Sequence, residues 1–187
     1  MGLSRDDWTQ AGLKAFGEEG LAGLAVEPLA RQLGTTKGSF YWHFADRNDL
    51  IRATLQRWED EDTTAVIAAT SALEDPRERL KALAERAFGD ALRLGFDAAV
   101  LAAAADPRVE PVLIRVTRKR LDYIVRLYRD LGLAKRDAER QARMTYSLFL
   151  GMSQLRIAEG ARRPGPAEAR RSVAHVVETL LSSAGLE

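Results

Sequence analysis

The chain has 187 residues, 46% of them hydrophobic and 29% charged, with a net charge of +1. That balance suits a folded protein with a substantial core and excludes a disordered polyelectrolyte. There is no cysteine, and the two histidines, His43 and His175, lie far apart; disulfides, thiolate metal sites and cysteine nucleophiles are excluded, and a histidine-rich metal cluster has no basis.

The opening, MGLSRDDWTQ, lacks the basic-then-apolar layout of a signal peptide, and Asp6 stands where a myristoylation signal wants Ser or Thr. No apolar run approaches the roughly 20 residues of a membrane span, so a cytoplasmic protein is expected. Strand alternation is nearly absent and helical spacing recurs throughout. The expected fold is all-α, with about nine helices: a small N-terminal module, residues 1–47, and a larger helical body, residues 48–187.

Ser4 can cap a first helix with Asp7 as capping-box partner, and Trp8, Ala11, Leu13 and Phe16 supply its apolar stripe before Gly20 ends it. Pro28 suits the first turn of the second helix and Gly34 its end. A long helix from about Asn48 carries Leu50, Ile51, Thr54, Leu55 and Trp58 and fades near Thr70. Asp75-Pro76 starts the next, with Leu80, Leu83, Ala84, Ala87, Ala91 and Leu94 in register and Gly95 as its break. A short Ala-rich segment, 97–105, ends at Asp106-Pro107. Helices follow over about 109–131, closed by Gly132, and over 137–158. The run ARRPGP, 161–166, is an expected turn, and the last helix carries Val173, Val176, Val177, Leu180 and Leu181 on one stripe.

Residues 28–47, PLARQLGTTKGSFYWHFADR, have the spacing of a helix-turn-helix. The crossing of two helices needs a small residue, Ala30; the turn needs tolerance of positive φ, Gly34; the second helix needs a buried anchor, Phe40. Spacing alone leaves a helix corner of some other all-α protein open. The surface chemistry favours DNA. Thr35 and Thr36 sit at the start of the second helix, where open amides and the helix dipole favour phosphate. Lys37 and Ser39 can reach base edges or phosphates, and Tyr41, Trp42 and His43 are consecutive rings with polar tips. The alternative for the rings is packing, most plausibly of Trp42 into a neighbouring helix. Residues 1–50 hold five basic groups against seven acidic ones, a net of −2, so no broad positive field supports DNA binding. Binding must then rest on a few placed contacts.

Residues 4–51 resemble the N-terminal domain of the TetR family of bacterial regulators, chiefly through LGTTKGSFYWHFADRNDLI, 33–51. The resemblance implies that Lys37 and Trp42 face bases, and that Thr35, Thr36, Tyr41 and His43 contact backbone or groove. Arg47 occupies the place of a phosphate-contacting cation, with Asp46 beside it as a departure. The DNA-facing set is therefore Thr35, Thr36, Lys37, Gly38, Ser39, Tyr41, Trp42, His43 and Arg47.

The helix over 137–158 is apolar on more than one side: Met144, Leu148 and Leu155 on one, with Tyr146, Phe149 and Met152 around it. Together with the last helix it predicts a two-fold dimer interface built from Ser147, Gly151, Leu155, Val173, Val176, Val177, Leu180 and Leu181; the alternative is that both helices complete one core. The resemblance implies ligand sensing in the body, with Phe88, Phe96, Tyr123, Tyr146, Phe149 and Met152 as candidate wall residues. The expected function is a homodimeric, ligand-responsive regulator, commonly a repressor, on a palindromic operator in duplex DNA, and nucleoid-associated when bound. A helical ligand-binding or scaffolding dimer without DNA binding stands as the alternative. No phosphate-binding glycine loop, G-x-S-x-G or nucleophile–base pair points to an enzyme, and no cofactor, metal or membrane partner is implied.

Overall fold

The computed structural model describes residues 2–89, 91–158 and 166–186; most of the expected turn at 161–166 lies outside these residues. Among them are ten α-helical segments and no strand: α1 Arg5–Glu19, α2 Val26–Gln32, α3 Lys37–Tyr41, α4 Arg47–Glu59, α5 Ala65–Ser71, α6 Pro76–Gly89, α7 Ala91–Ala102, α8 Glu110–Asp130, α9 Lys135–Ala158 and α10 Pro166–Ser183. A π-helical stretch, Asp60–Thr64, joins α4 to α5, which is the long helix that the apolar spacing after Asn48 predicted. Gly95 does not break a helix, in contrast to expectation. It lies inside α7, where α-helical hydrogen bonding outweighs a glycine penalty of about 1 kcal/mol.

The chain forms two compact units, residues 1–62 with 95–115, and residues 63–94 with 116–187. The first unit thus runs past residue 47 and takes in a distant segment.

In the first unit, Ser4 caps α1. Its hydroxyl accepts from the Asp7 N–H at 3.2 Å, while the Asp7 carboxylate accepts from the Ser4 N–H at 2.7 Å. Trp8, Ala11, Ala15 and Phe16 are buried on one face of α1. Gly12 lets α1 approach α4, since a Cβ there would meet Thr54 Oγ1 at 2.7 Å. The ring of Phe96 packs on Phe16 (4.8 Å between centroids) and Trp58 (5.7 Å), which ties α7 to α1 and α4. Glu59, only 1% exposed, accepts from the Arg115 guanidinium at 2.9 Å. A buried carboxylate needs such a partner, since burying a charge without one is strongly unfavourable.

In the second unit, Leu80, Ala84 and Phe88 of α6 meet Tyr123 and Leu127 of α8 and Val173, Val176 and Leu180 of α10. A neighbouring cluster joins Ile124 and Tyr128 to Ala138, Ala142 and Tyr146 of α9. The Tyr128 hydroxyl is hydrogen-bonded to Thr145 at 2.8 Å, and burial raises its pKa. This arrangement corrects the interface expectation for α10. Val173, Val176 and Leu180 are buried in the chain's own core, so they are not available to a partner. Val177 and Leu181 pack at the edge of the same cluster. On α9, by contrast, Ser147 and Gly151 are exposed, as are Met144 at 53% and Leu155 at 59%.

Candidate nucleic-acid interface

The corner between α2 and α3 is built as its spacing requires. Gly34 takes φ +64°, a conformation side chains disfavour, and the Thr35 N–H reaches back to the Ala30 carbonyl at 2.9 Å. Thr36 then caps α3, its hydroxyl accepting from the Ser39 N–H at 3.4 Å. That amide is therefore already engaged, and α3 is five residues long, so only a small dipole can favour a phosphate at Thr35 and Thr36.

Phe40 fixes which way α3 faces. It is fully buried, set edge-on to Trp8 at 5.4 Å and stacked on Phe44 at 5.1 Å between centroids. With Phe40 inward, the rest of the short helix turns to solvent: Thr36, Lys37 and Gly38 are exposed, while Thr35, Ser39 and His43 are half-buried. Tyr41 is 56% exposed and Trp42 is 87% exposed. Packing of Trp42 into a neighbouring helix is therefore ruled out within the chain. An indole left in water next to a phenol is an apolar, hydrogen-bonding surface waiting for a partner.

Two cations at this surface, Lys37 and Arg47, are engaged within the chain. The Lys37 ammonium lies 2.9 Å from the Glu27 carboxylate of α2. The hydrogen bond between them raises the Lys37 pKa and lowers that of Glu27. Arg47, expected to contact phosphate, also has a role inside the chain. Its Nε donates to the Leu24 carbonyl at 2.8 Å, and Nη2 donates to the Leu21 carbonyl, so the guanidinium holds the turn before α2. Its neighbour Asp46 caps α4, accepting from the Asp49 N–H at 2.8 Å. That is a structural reason for the acid beside Arg47.

Arg5 was missed by the sequence reading. It donates to the His43 carbonyl and to Asp49 at 3.1 Å, and its guanidinium lies 4.2 Å from the centre of the Phe44 ring. The contact closes the end of α3 from 38 residues away in sequence. No local pattern signals it.

The candidate wall residues fall into two groups. Phe96 belongs to the core of the first unit, beside Phe16 and Trp58. The other five lie in the second unit, where Phe149 meets Phe88 at 5.9 Å and Tyr146 at 6.0 Å. A cleft of about 450 Å³ in that unit is lined instead by residues that include Leu131, Asp137, Arg140, Gln141, Met144 and Ser183, and by none of the five.

An α1 that buttresses the corner, a glycine turn and an outward-facing aromatic helix define a helix-turn-helix protein. Residues 9–54 match the family model for bacterial regulatory proteins of the tetR family. The HTH-type transcriptional regulator BetI of Yersinia pestis is 32% identical over 91 residues, 47% of this chain and 46% of that protein. The match therefore spans about half the length of this curated relative. A crystal structure of a transcriptional regulator from Rhodococcus sp. Rha1 superposes with a TM-score of 0.79 at 18% identity, over 97% of each chain. A protein described as a transcriptional regulator from Saccharomonospora viridis, in complex with choline, gives 0.76 at 18% identity, over 93% of this chain and 95% of that one. The N-terminal segment of the chain is thus similar to the tetR family of bacterial regulatory proteins. The helical architecture after that domain is the one seen in those structures.

Proposed function

We propose that the chain is a ligand-responsive transcriptional repressor that binds a palindromic operator as a homodimer in the cytoplasm, associated with the nucleoid when bound. The observation that carries this reading is Trp42, 87% exposed on a helix whose only fully buried side chain is Phe40. Residues 1–47 supply the DNA-reading function and residues 48–187 the ligand-binding and dimerisation functions. Lys37 and Trp42 meet bases; Thr35, Thr36, Gly38, Ser39, Tyr41 and His43 meet backbone or groove. Arg47 acts by holding the turn before α2, with donors left over for a phosphate. One such module presents too small a surface for tight specific binding, and two on a two-fold axis double it.

The dimer face in this reading is the exposed side of α9, Ser147, Gly151 and Leu155, extended by Met144. The effector is a small molecule received among Phe88, Tyr123, Tyr146, Phe149 and Met152. It releases DNA only by binding better to the conformation whose two recognition helices are wrongly spaced.

In-vitro selection of bound duplexes, followed by anisotropy titration of the recovered sequence, tests the core of this reading. Lys37→Ala and Trp42→Ala are each expected to weaken binding by roughly tenfold or more, the range of a lost base contact of about 1–3 kcal/mol. Failure to recover any preferred duplex, or unchanged affinity in both variants, would overturn it in favour of a helical dimer that does not read DNA.

A further inference from the structure

We propose that Glu27 is an internal competitor for Lys37, so that DNA must take the lysine of the recognition helix away from a carboxylate before that lysine can act. This rests on the DNA-binding reading above and goes beyond it by assigning a function to an acidic residue outside the reading surface.

Lys37 is the only lysine or arginine between Arg31 and Arg47, so the recognition helix has one full positive charge to offer. Its ammonium sits 2.9 Å from Glu27 Oε1. A carboxylate oxygen at that distance presents to the ammonium what a phosphate oxygen would. The pair joins the two helices of the corner, α2 and α3, so its geometry is set by the fold. Both partners are open to solvent, with 53% of the Lys37 side chain and 69% of the Glu27 side chain exposed. They are hydrated and free to exchange, and exposed pairs of this kind are weak. A strong acceptor on DNA can displace such a carboxylate.

The consequence for binding is specific. Sequence-independent association is almost entirely electrostatic, and a lysine neutralised by a neighbouring carboxylate adds little to it. The same cation becomes available when the helix is seated and an acceptor on DNA outcompetes Glu27. An N-terminal module with more acids than bases thereby also limits non-specific attraction at its own reading helix.

The test uses the full chain with Glu27→Gln, and anisotropy titrations on the selected duplex across a salt series. Glu27→Gln is expected to tighten binding about fivefold and to steepen the slope of log K against log salt. In the Lys37→Ala background the same substitution is expected to leave both nearly unchanged. A thermal melt matching the parent's shows that the variant is folded. If the parent chain binds its selected duplex while Glu27→Gln leaves affinity and slope unchanged, or weakens binding, the competition is refuted. A gain that persists in full without Lys37 refutes it too, because Glu27 would then act as a diffuse negative charge. A parent chain that selects no duplex overturns the DNA-binding reading itself, a different result from either.

Discussion

Arg5 belongs to the first turn of α1, yet it closes the far end of the recognition helix through the His43 carbonyl, the Asp49 carboxylate and the face of Phe44. Removing it leaves the last turn of α3 without its outside partner. Arg5→Ala is expected to lower stability by about 1 kcal/mol, since the pair is exposed but one bond goes to a backbone carbonyl. It should also weaken DNA binding although Arg5 touches no base. Urea unfolding and a gel shift on the same preparation would show both; an unchanged melt with lost binding would make Arg5 a direct contact instead. The residues that could be read from sequence are those whose roles follow from local spacing. Ala30, Gly34 and Phe40 fall at fixed intervals because a helix corner has a fixed geometry. The contacts of Arg5 and Arg47 within the chain could not be read, because a guanidinium reaching across 38 or 26 residues leaves no periodic trace.

Among the elements, α10 shows what apolar periodicity can and cannot say. The stripe Val173, Val176, Leu180 correctly implied burial, but a stripe does not name the surface that covers it. Here the cover is α6 and α8 of the same chain. For α9 the excess of apolar faces carried more information, because one core cannot absorb them all, and Met144 and Leu155 remain outside. The connection from α7 to α8 holds a second feature invisible to periodicity. Asp106 accepts from Arg108 Nε at 2.8 Å and Nη2 at 2.6 Å, and the same guanidinium donates to Asn48 of α4 at 3.0 Å. Side-chain and backbone hydrogen bonds from Arg108 pull the Asp106 pKa from 3.8 down to about 2. A carboxyl group depressed on folding stabilises the fold fully above its unfolded value, and that contribution is lost as pH falls through the folded value. Stability should therefore decline between pH 3.8 and about 2, and Asp106→Asn should flatten that decline. Urea midpoints measured across this range in both proteins check it; equal slopes would remove Asp106 from the account.

For the molecule as a whole, the proposed reading of a palindrome requires two chains to pair. Leu155, 59% exposed beside the exposed Gly151 on α9, is the side chain to disturb, because its replacement disrupts little inside the protomer. Leu155→Asp is expected to weaken self-association at least tenfold, the effect of losing about 1.5 kcal/mol of apolar burial or more. Sedimentation equilibrium or light scattering would show the shift towards monomer. Association equal to the parent's would move the interface off this face.

The first unit has a consequence for how such a protein can change over time. Its core closes only when residues 95–115 return to it, bringing Phe96 to Phe16 and Trp58, and Arg115 to Glu59. A recombination that cuts near residue 47 and attaches a foreign sensor would strip those rings of their cover and leave the Glu59 carboxylate without Arg115. A head and a body of this chain can therefore be traded between lineages only if the head takes with it a segment encoded far downstream. On the proposed function, DNA reading and ligand sensing would be inherited together.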